Sequence, residues 1–205
     1  MLGARGIEAQ RAFDFLRDPP DRARRPKRPE RLFFCVMPDG KAAEPFGRLA
    51  RDLVAGCAPG ATLLPAGRLH VSLHLVRDDV RLREKYIFAA RQAARRVALP
   101  PFEQCFRHAT GFRPLNPRRG RHPLVLLGEG EAIRTLHRQL VPAMAATGLH
   151  PSDDIVPHMT LAYLPMLVPL QAIAPMRFEV RELLLVHSRR GLSEYRVIDR
   201  WPLRG

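Results

Sequence analysis

Two short segments of this 205-residue chain have the same pattern of residue types. His70-Val-Ser72-Leu lies in the first half, and His158-Met-Thr160-Leu begins 88 residues later. Side chains alternate between the two faces of an extended strand, so the imidazole and the hydroxyl of each segment share one face. The apolar residues between them then face the core. The repetition predicts two related strands, each of which presents one histidine and one hydroxyl group.

The elements around these segments also occur in two similar runs. In the first half, we predict strands at residues 32–37 and 69–76 and amphipathic helices at residues 44–57 and 78–97. In the second half, we predict strands at residues 102–112, 124–127, 155–163, 176–188 and 193–198, a helix at residues 131–147, and a hairpin turn at Gly191-Leu192. Asp78 and Asp79 are assigned to the first turn of their helix, where the dipole favours acidic side chains. The order indicates two related α+β lobes.

The charge makes nucleic acid a candidate partner. Lys and Arg number 34 against 20 Asp and Glu, which gives a net charge of +14 that attracts polyanions. Only three of the basic residues are Lys, and so strong a bias toward Arg can also arise from coding composition. Residues 1–30 are rich in Arg and Pro and predict a flexible arm, either a tether for RNA or, as the favoured alternative, a poorly ordered extension. Residues 31–205 are predicted to form a single domain.

The cysteines and the hydropathy pattern predict a cytoplasmic protein that does not contact a membrane. Cys35, Cys57 and Cys105 are odd in number and far apart, which argues against a disulfide framework or a zinc knuckle. The N-terminus shows no signal peptide. The longest uncharged stretch, residues 161–176, is too short for a membrane span and contains three prolines.

The doubled segments predict acid–base chemistry if their strands face one cleft. Two imidazoles with a pKa near ~6.5 can hold opposite protonation states, so that one donates a proton while the other accepts one. Ser72 and Thr160 would then donate hydrogen bonds to phosphate oxygens. A metal site of His70, His74 and His158 is a weaker alternative, because neither segment contains a carboxylate. We interpret His74 as lining the groove or facing solvent. A serine-hydrolase role for Ser72 lacks the Gly-x-Ser-x-Gly elbow.

Three further segments accompany the doubled pattern: Arg31-Leu-Phe-Phe, Gly111-Phe-Arg-Pro, and the closing run at residues 194–203. Together these segments resemble the 2H phosphoesterase superfamily, and within it the bacterial RNA 2′,3′-cyclic phosphodiesterases of the 2′-5′ RNA ligase family. The resemblance covers roughly residues 31–203. It implies a bilobal α+β fold with two antiparallel sheets related by a pseudo-two-fold axis, helices on the outside and a central groove.

The resemblance also implies an activity. It is the hydrolysis of a terminal RNA 2′,3′-cyclic phosphate to a 2′-phosphomonoester without metal or cofactor, with reversible 2′-5′ ligation as a side activity. His70 would donate a proton, His158 would accept one, and Ser72 and Thr160 would contact the phosphate. Ser72 replaces the commoner Thr, and Tyr163, a candidate substrate-binding residue, stands where many relatives have Arg.

The implied partner is RNA with a 2′,3′-cyclic phosphate end, such as a tRNA fragment or an oligonucleotide, and we expect a monomer. Two alternatives stay open on the residues alone. One is an RNA-binding module with a vestigial site, in which the basic arm and the basic loop at residues 113–121 supply the affinity. The other is a related phosphodiesterase that acts on a small cyclic nucleotide.

Overall fold

The computed structural model describes residues 30–55, 60–113, 120–189 and 195–205. The strands are β1 (Glu30–Val36), β2 (Thr62–Leu63), β3 (Val71–Asp79), β4 (Phe102–Gly111), β5 (His122–Glu129), β6 (His158–Leu164), β7 (Gln171–Val180), β8 (Glu182–Arg189) and β9 (Tyr195–Pro202). The helices are α1 (Gly40–Ala55), α2 (Glu84–Ala94) and α3 (Glu131–Ala145), and a 3-10 turn spans Ala66–Arg68. Within the described residues, no helix combines the length and the apolar character that a bilayer span requires. Nearly all of the predicted arm, Cys57 and the predicted turn at residues 191–192 lie outside this part of the chain.

The described strands pair in an antiparallel manner throughout, in the order β7-β4-β5-β6-β3-β1-β8-β9, with β2 beside β6. The central strands β6 and β3 meet through one residue pair, Met159 opposite Val71. We call this pair the seam. Outward from the seam, the order is β6-β5-β4-β7 on one side and β3-β1-β8-β9 on the other. The first lobe contains β1, β3, β8 and β9, and the second lobe contains β4 to β7.

The two lobes are built alike. A strand–helix–strand unit supplies the two inner strands of each lobe: β1, α1 and β3 in the first lobe, and β5, α3 and β6 in the second. In each unit the second strand returns antiparallel to the first and lies at the seam. This arrangement confirms the α+β fold class and the two related lobes expected from the sequence, and the two sets of antiparallel strands that the resemblance implied join at the seam into one sheet.

Each seam strand contains a β-bulge at the same place relative to its histidine. Along β3, Ser72 lies opposite Cys35 and His74 opposite Phe34, so Leu73 is the extra residue. Along β6, Thr160 lies opposite Val125 and Ala162 opposite Leu124, so Leu161 is the extra residue. A bulge adds one residue to a strand and therefore reverses the alternation of faces beyond it.

The main core lies between the sheet and the helices. Buried residues of all three helices form one cluster with inward residues of the sheet. Its members include Val71 and Met159 of the seam, and also Phe34, Phe46, Phe106, Leu126 and Ile133. The opposite face of the sheet, which we call the site face, has two smaller clusters. Phe33, Cys35, Leu184 and Val186 form the one in the first lobe, and Phe112 and Val125 form the one in the second. Apolar packing therefore supports both faces of the sheet.

The predicted start of α2 is wrong. Asp78 and Asp79 end β3, and the helix begins at Glu84. The physical reason is a cross-strand pair, because Asp78 lies opposite Arg31 of β1 and accepts two hydrogen bonds from its guanidinium, at 2.8 and 2.9 Å. The predicted strand at residues 176–188 is also wrong in extent, since β7 and β8 are separate strands with Arg181 between them.

Candidate active site

The seam brings the two sequence segments side by side. Val71 and Met159 are fully buried on the helix face, while the motif residues His70, Ser72, His158 and Thr160 are partly exposed. In an antiparallel pair, the residues on either side of a matched position are also matched. The register therefore brings His70 toward Thr160 and Ser72 toward His158. Both imidazoles and both hydroxyls thus lie on the site face, in two crosswise pairs.

Both imidazoles are held by the same type of hydrogen bond. Nδ1 of His70 lies 2.7 Å from the carbonyl oxygen of Arg68, and Nδ1 of His158 lies 2.7 Å from the carbonyl oxygen of Val156. A carbonyl can only accept, so each Nδ1 is the protonated nitrogen that donates. Each neutral ring then has its lone pair on Nε2. The two rings are therefore fixed in the same tautomer, with Nε2 as the atom that can gain or lose a proton.

Aromatic side chains pack against both rings. The His70 ring lies 5.3 Å from the ring of Phe33 and 5.3 Å from that of Tyr195, between centroids. The His158 ring lies 5.4 Å from Phe112 in an edge-to-face contact. Such contacts restrict rotation of the imidazoles and remove water from one side of each ring.

The surroundings lower the pKa of both histidines. Burial is the main cause for His70, the positive charges of His158, Arg68 and Arg31 act in the same direction, and the pKa falls to about 4 although the Arg68 carbonyl raises it. Burial likewise lowers the pKa of His158, against the opposing effect of the Val156 carbonyl. Because a charge on one ring disfavours a charge on the other, at most one of the two rings is an imidazolium over most of the pH range.

Tyr163 also lies on the site face. Simple alternation from Thr160 would place residue 162 there, but the bulge at Leu161 turns Ala162 toward the helices. The Tyr163 side chain is 41% exposed. It lies in the neighbourhood of Arg31 and Tyr195 of the first lobe. Tyr163 therefore faces the opposite lobe across the seam.

The interpretation of His74 as a groove-lining or solvent-facing residue is wrong. His74 is 1% exposed and stacks on His137 of α3, with ring centroids 4.0 Å apart and an interplanar angle of 16°. Its Nε2 donates to the carbonyl oxygen of His137 at 3.0 Å. The bulge at Leu73 is the cause, because it moves His74 to the helix face. The alternative metal site of His70, His74 and His158 is consequently not assembled.

Sequence reasoning did not assign a role to several groups that surround His70. Arg68, Phe33 and Tyr195 all contact or hold this ring, and Tyr195 is contributed by β9, far along the chain. Phe33 and Tyr195 do lie in the terminal segments on which the family resemblance rests. Arg68 stands two residues before His70, and only its charge and position could have pointed to it. Among the described residues, no cluster of three His, Cys, Asp or Glu side chains is placed to bind a metal ion.

Comparison with known proteins gives one family and a consistent set of folds. A model of the 2′-5′ RNA ligase superfamily matches residues 38–192. No curated protein matches this chain. Protein TT0787 of Thermus thermophilus is 22% identical over 85% of this chain and 98% of its own, with a TM-score of 0.65. LigT of Escherichia coli in the apo form is 23% identical over 87% of this chain and 100% of its own, with a TM-score of 0.63.

A second LigT structure, a complex with NADP+, is 22% identical over 87% of this chain and 100% of its own, with a TM-score of 0.62. At these identities the solved structures establish the fold. The family model establishes more, because it spans most of the chain and includes both histidine segments. The matched segments are the ones that form the seam and its two imidazoles. The chain therefore belongs to the 2′-5′ RNA ligase superfamily, the 2H phosphoesterases.

Proposed function

We propose that this protein hydrolyses a terminal 2′,3′-cyclic phosphate of RNA to a 2′-phosphomonoester. The observation that carries the proposal is the pair of imidazoles at the seam, fixed in one tautomer through equivalent carbonyls and each accompanied by a hydroxyl. A strained cyclic diester needs a base for the attacking water and an acid for the departing oxygen, and two imidazoles can supply both. No step of this scheme requires a metal ion.

The proposed reaction proceeds by in-line displacement at phosphorus. Nε2 of His158 takes a proton from water as the water oxygen forms its bond to phosphorus. The bond between phosphorus and the ribose 3′ oxygen breaks, and Nε2 of His70 gives its proton to that oxygen. Ser72 and Thr160 donate hydrogen bonds to the non-bridging oxygens, where negative charge accumulates. The two rings finish with exchanged protonation states and return to the starting state by exchange with solvent.

The charges around the site support His70 as the acid. Arg68 and Arg31 of the first lobe both lower the pKa of His70, in addition to burial, and so make it a stronger proton donor. A pKa of about 4 also means that the His70 ring is neutral at pH 7 in the free protein. The anionic phosphate offsets the arginine charges and stabilises an imidazolium beside it. Substrate binding and protonation of His70 are therefore expected to be coupled.

The same geometry accommodates 2′-5′ ligation. In ligation, the 5′ hydroxyl of a second RNA end replaces water, His158 accepts its proton, and the product is a 2′-5′ phosphodiester with a free 3′ hydroxyl. The reverse of this step regenerates the cyclic phosphate. LigT of Escherichia coli has been crystallised with 3′-AMP and with phosphate, ligands that have the groups this reaction requires. The net charge of +14 is consistent with RNA as the carrier of the cyclic phosphate.

The test is turnover of an oligonucleotide with a 2′,3′-cyclic phosphate end in the presence of EDTA. We expect His70→Ala and His158→Ala each to reduce kcat/KM by about 10²–10⁴-fold, the usual contribution of a positioned acid or base. His150→Ala is the control, because His150 is exposed and lies outside the seam strands. Activity that survives both histidine substitutions but disappears with EDTA would refute the proposal. Salt-sensitive RNA binding without any product would instead indicate a vestigial site.

Substrate length distinguishes a protein that acts on RNA from one that acts on a small cyclic nucleotide. If the protein acts on a small cyclic nucleotide, a 2′,3′-cyclic mononucleotide will have a kcat/KM equal to or above that of the oligonucleotide. If RNA is the substrate, added nucleotides will raise kcat/KM, and salt will reduce the difference because phosphate contacts release counterions. Identification of the product as a 2′-phosphate or a 3′-phosphate confirms which oxygen departs.

A further inference from the structure

Two arginines lie beside His70, and they differ in how their charges are compensated. Arg31 donates two hydrogen bonds to the carboxylate of Asp78, so its charge is largely neutralised. Within the described part of the chain, no carboxylate lies at ion-pair distance from Arg68. The Arg68 Nε is moreover screened from solvent and lacks a hydrogen-bond partner in this structure. A buried donor without a partner is costly, so it is uncommon without a function.

The position of Arg68 is fixed by its surroundings. It ends the 3-10 turn at Ala66–Arg68, and its carbonyl oxygen accepts the hydrogen bond from Nδ1 of His70. Its guanidinium carbon lies 4.6 Å from the centroid of the Tyr195 ring, a cation–π contact. The same Tyr195 ring contacts His70. The backbone and the aromatic stack therefore keep this charge next to the proposed proton donor.

β6, the seam strand of the second lobe, offers no comparable charge on the site face. The site-face residues of β6 are His158, Thr160 and Tyr163, none of which has a permanent positive charge. A phosphate anion placed between the two imidazoles therefore finds its charge partner on the first-lobe side of the two seam strands, in Arg68 beside His70. The planar guanidinium can bind two phosphate oxygens at once, which also orients the group.

We propose that Arg68 is the phosphate-binding cation of this site, acting from the first lobe beside His70. The inference rests on the proposed function and deepens it, since it assigns the charge that orients the cyclic phosphate with its departing oxygen toward His70. Tyr195 is then a positioning residue that holds the guanidinium. Arg31 has the different task of linking β1 to β3 through Asp78.

The experiment compares Arg68→Met with the wild-type protein. Met keeps apolar contact with Tyr195 but removes the charge. We expect the Kd for 2′-AMP, measured by calorimetry, to rise by about tenfold or more, whereas the Kd of the uncharged nucleoside adenosine does not change. Arg68→Lys keeps the charge without the planar fork and should recover part of the affinity. The upper limb of the kcat/KM profile should move to higher pH in Arg68→Met, because a positive charge beside His70 is removed.

Arg77→Met is the matched control. Arg77 also stacks on a tyrosine, with its guanidinium carbon 4.9 Å from the Tyr86 ring, but it lies opposite Leu32 toward the helix face. Its substitution should leave the Kd for 2′-AMP and the pH profile unchanged. Equal 2′-AMP affinity and an identical pH profile in Arg68→Met and the wild type would overturn the inference and leave Arg68 as a packing residue.

A second measurement needs no variant. Addition of inorganic phosphate to the wild-type protein should shift the Arg68 Nε–H resonance in an NMR spectrum, because an anion bound at the guanidinium changes the environment of all its N–H groups. Absence of this shift at saturating phosphate contradicts the inference even if Arg68→Met fails to fold. The outcomes also separate the two proposals. A wild-type protein that does not hydrolyse cyclic phosphate but binds 2′-AMP through Arg68 refutes the proposed function alone.

Discussion

Each histidine of this site donates a hydrogen bond from Nδ1 to the carbonyl oxygen two residues earlier in the chain. It occurs at His70 and at His158 with the same length, so the two rings differ only in what surrounds them. Arg68, Arg31, Phe33 and Tyr195 surround His70, whereas Phe112 packs against His158. The division into acid and base can therefore arise from neighbouring charge and burial alone.

The pH dependence of activity follows from these surroundings. The proposed mechanism needs His158 neutral and His70 protonated, and burial lowers the pKa of both rings, to about 4 for His70. We therefore expect a bell-shaped kcat/KM profile whose maximum lies below pH 6.5, the value for an unperturbed imidazole. The measurement is kcat/KM for a cyclic nucleotide from pH 4 to pH 9. A profile centred above pH 7 would contradict the assigned roles.

The hydroxyl at residue 72 provides another residue-scale prediction. Removal of one donor to a developing anion usually reduces kcat by about 10²–10³-fold, and we expect a loss of this order for Ser72→Ala. Ser72→Thr keeps the hydroxyl and should stay close to the wild-type rate. Rate assays on the two variants decide the point, since equal rates for Ser72→Ala and the wild type would remove Ser72 from the mechanism.

At the scale of elements, the paired bulges decide which residues reach the site. Alternation predicted correctly that His70 and Ser72 share a face, and likewise His158 and Thr160. It failed beyond Leu73, where His74 turns to the helices, because a bulge depends on the partner strand and leaves no local pattern. The predicted start of α2 was wrong for a similar reason, since the Arg31–Asp78 pair joins residues far apart in the chain. Local periodicity thus predicted the elements, and contacts between elements determined their ends and faces.

The loop after β6 makes a close contact that can be tested. The amide of Gly111 at the end of β4 donates to the carbonyl oxygen of Val168 at 2.7 Å, and a Cβ at residue 111 would lie 2.6 Å from the Val168 nitrogen. Gly111→Ala must displace this loop, and we expect a loss of about 1–3 kcal/mol in the free energy of unfolding. Gly40→Ala is the control, because a Cβ at residue 40 would meet no atom within 4 Å. Urea denaturation of both variants gives the comparison, and equal stability would contradict the contact.

At the scale of the whole molecule, the lobes are tied together behind the seam as well as at it. His74 belongs to β3 of the first lobe, and His137 belongs to α3, which follows β5 of the second. Their stacked rings are buried, and the charges of Arg134, Arg138 and Asp154 also act on His137. The family resemblance implied the two lobes and their relation. It gave no indication of this stack, which depends on the displacement of His74 by the bulge.

Acid should weaken this connection. Burial and the neighbouring positive charges lower the pKa of His137 to about 4 although Asp154 raises it, and burial lowers the pKa of His74. The unfolded chain therefore binds these protons more readily than the folded one, so stability is complete above pH 6.5 and is lost as the pH falls toward 4. Urea unfolding at pH 7 and pH 5 measures the loss, which His137→Gln should reduce. A stability that does not change between these values would contradict the burial of uncharged rings.

The pairing of β3 with β6 through one pair of residues has a mechanical consequence. Each half of the molecule contributes one imidazole, and the two strands that carry the imidazoles, β3 and β6, pair through Val71 and Met159 alone, beside the short β2–β6 pairing. A small change in the angle between the halves would therefore alter the gap between the two Nε2 atoms while leaving each half intact. Turnover should therefore respond to a change in the angle between the halves that a spectroscopic measurement of secondary structure would not detect.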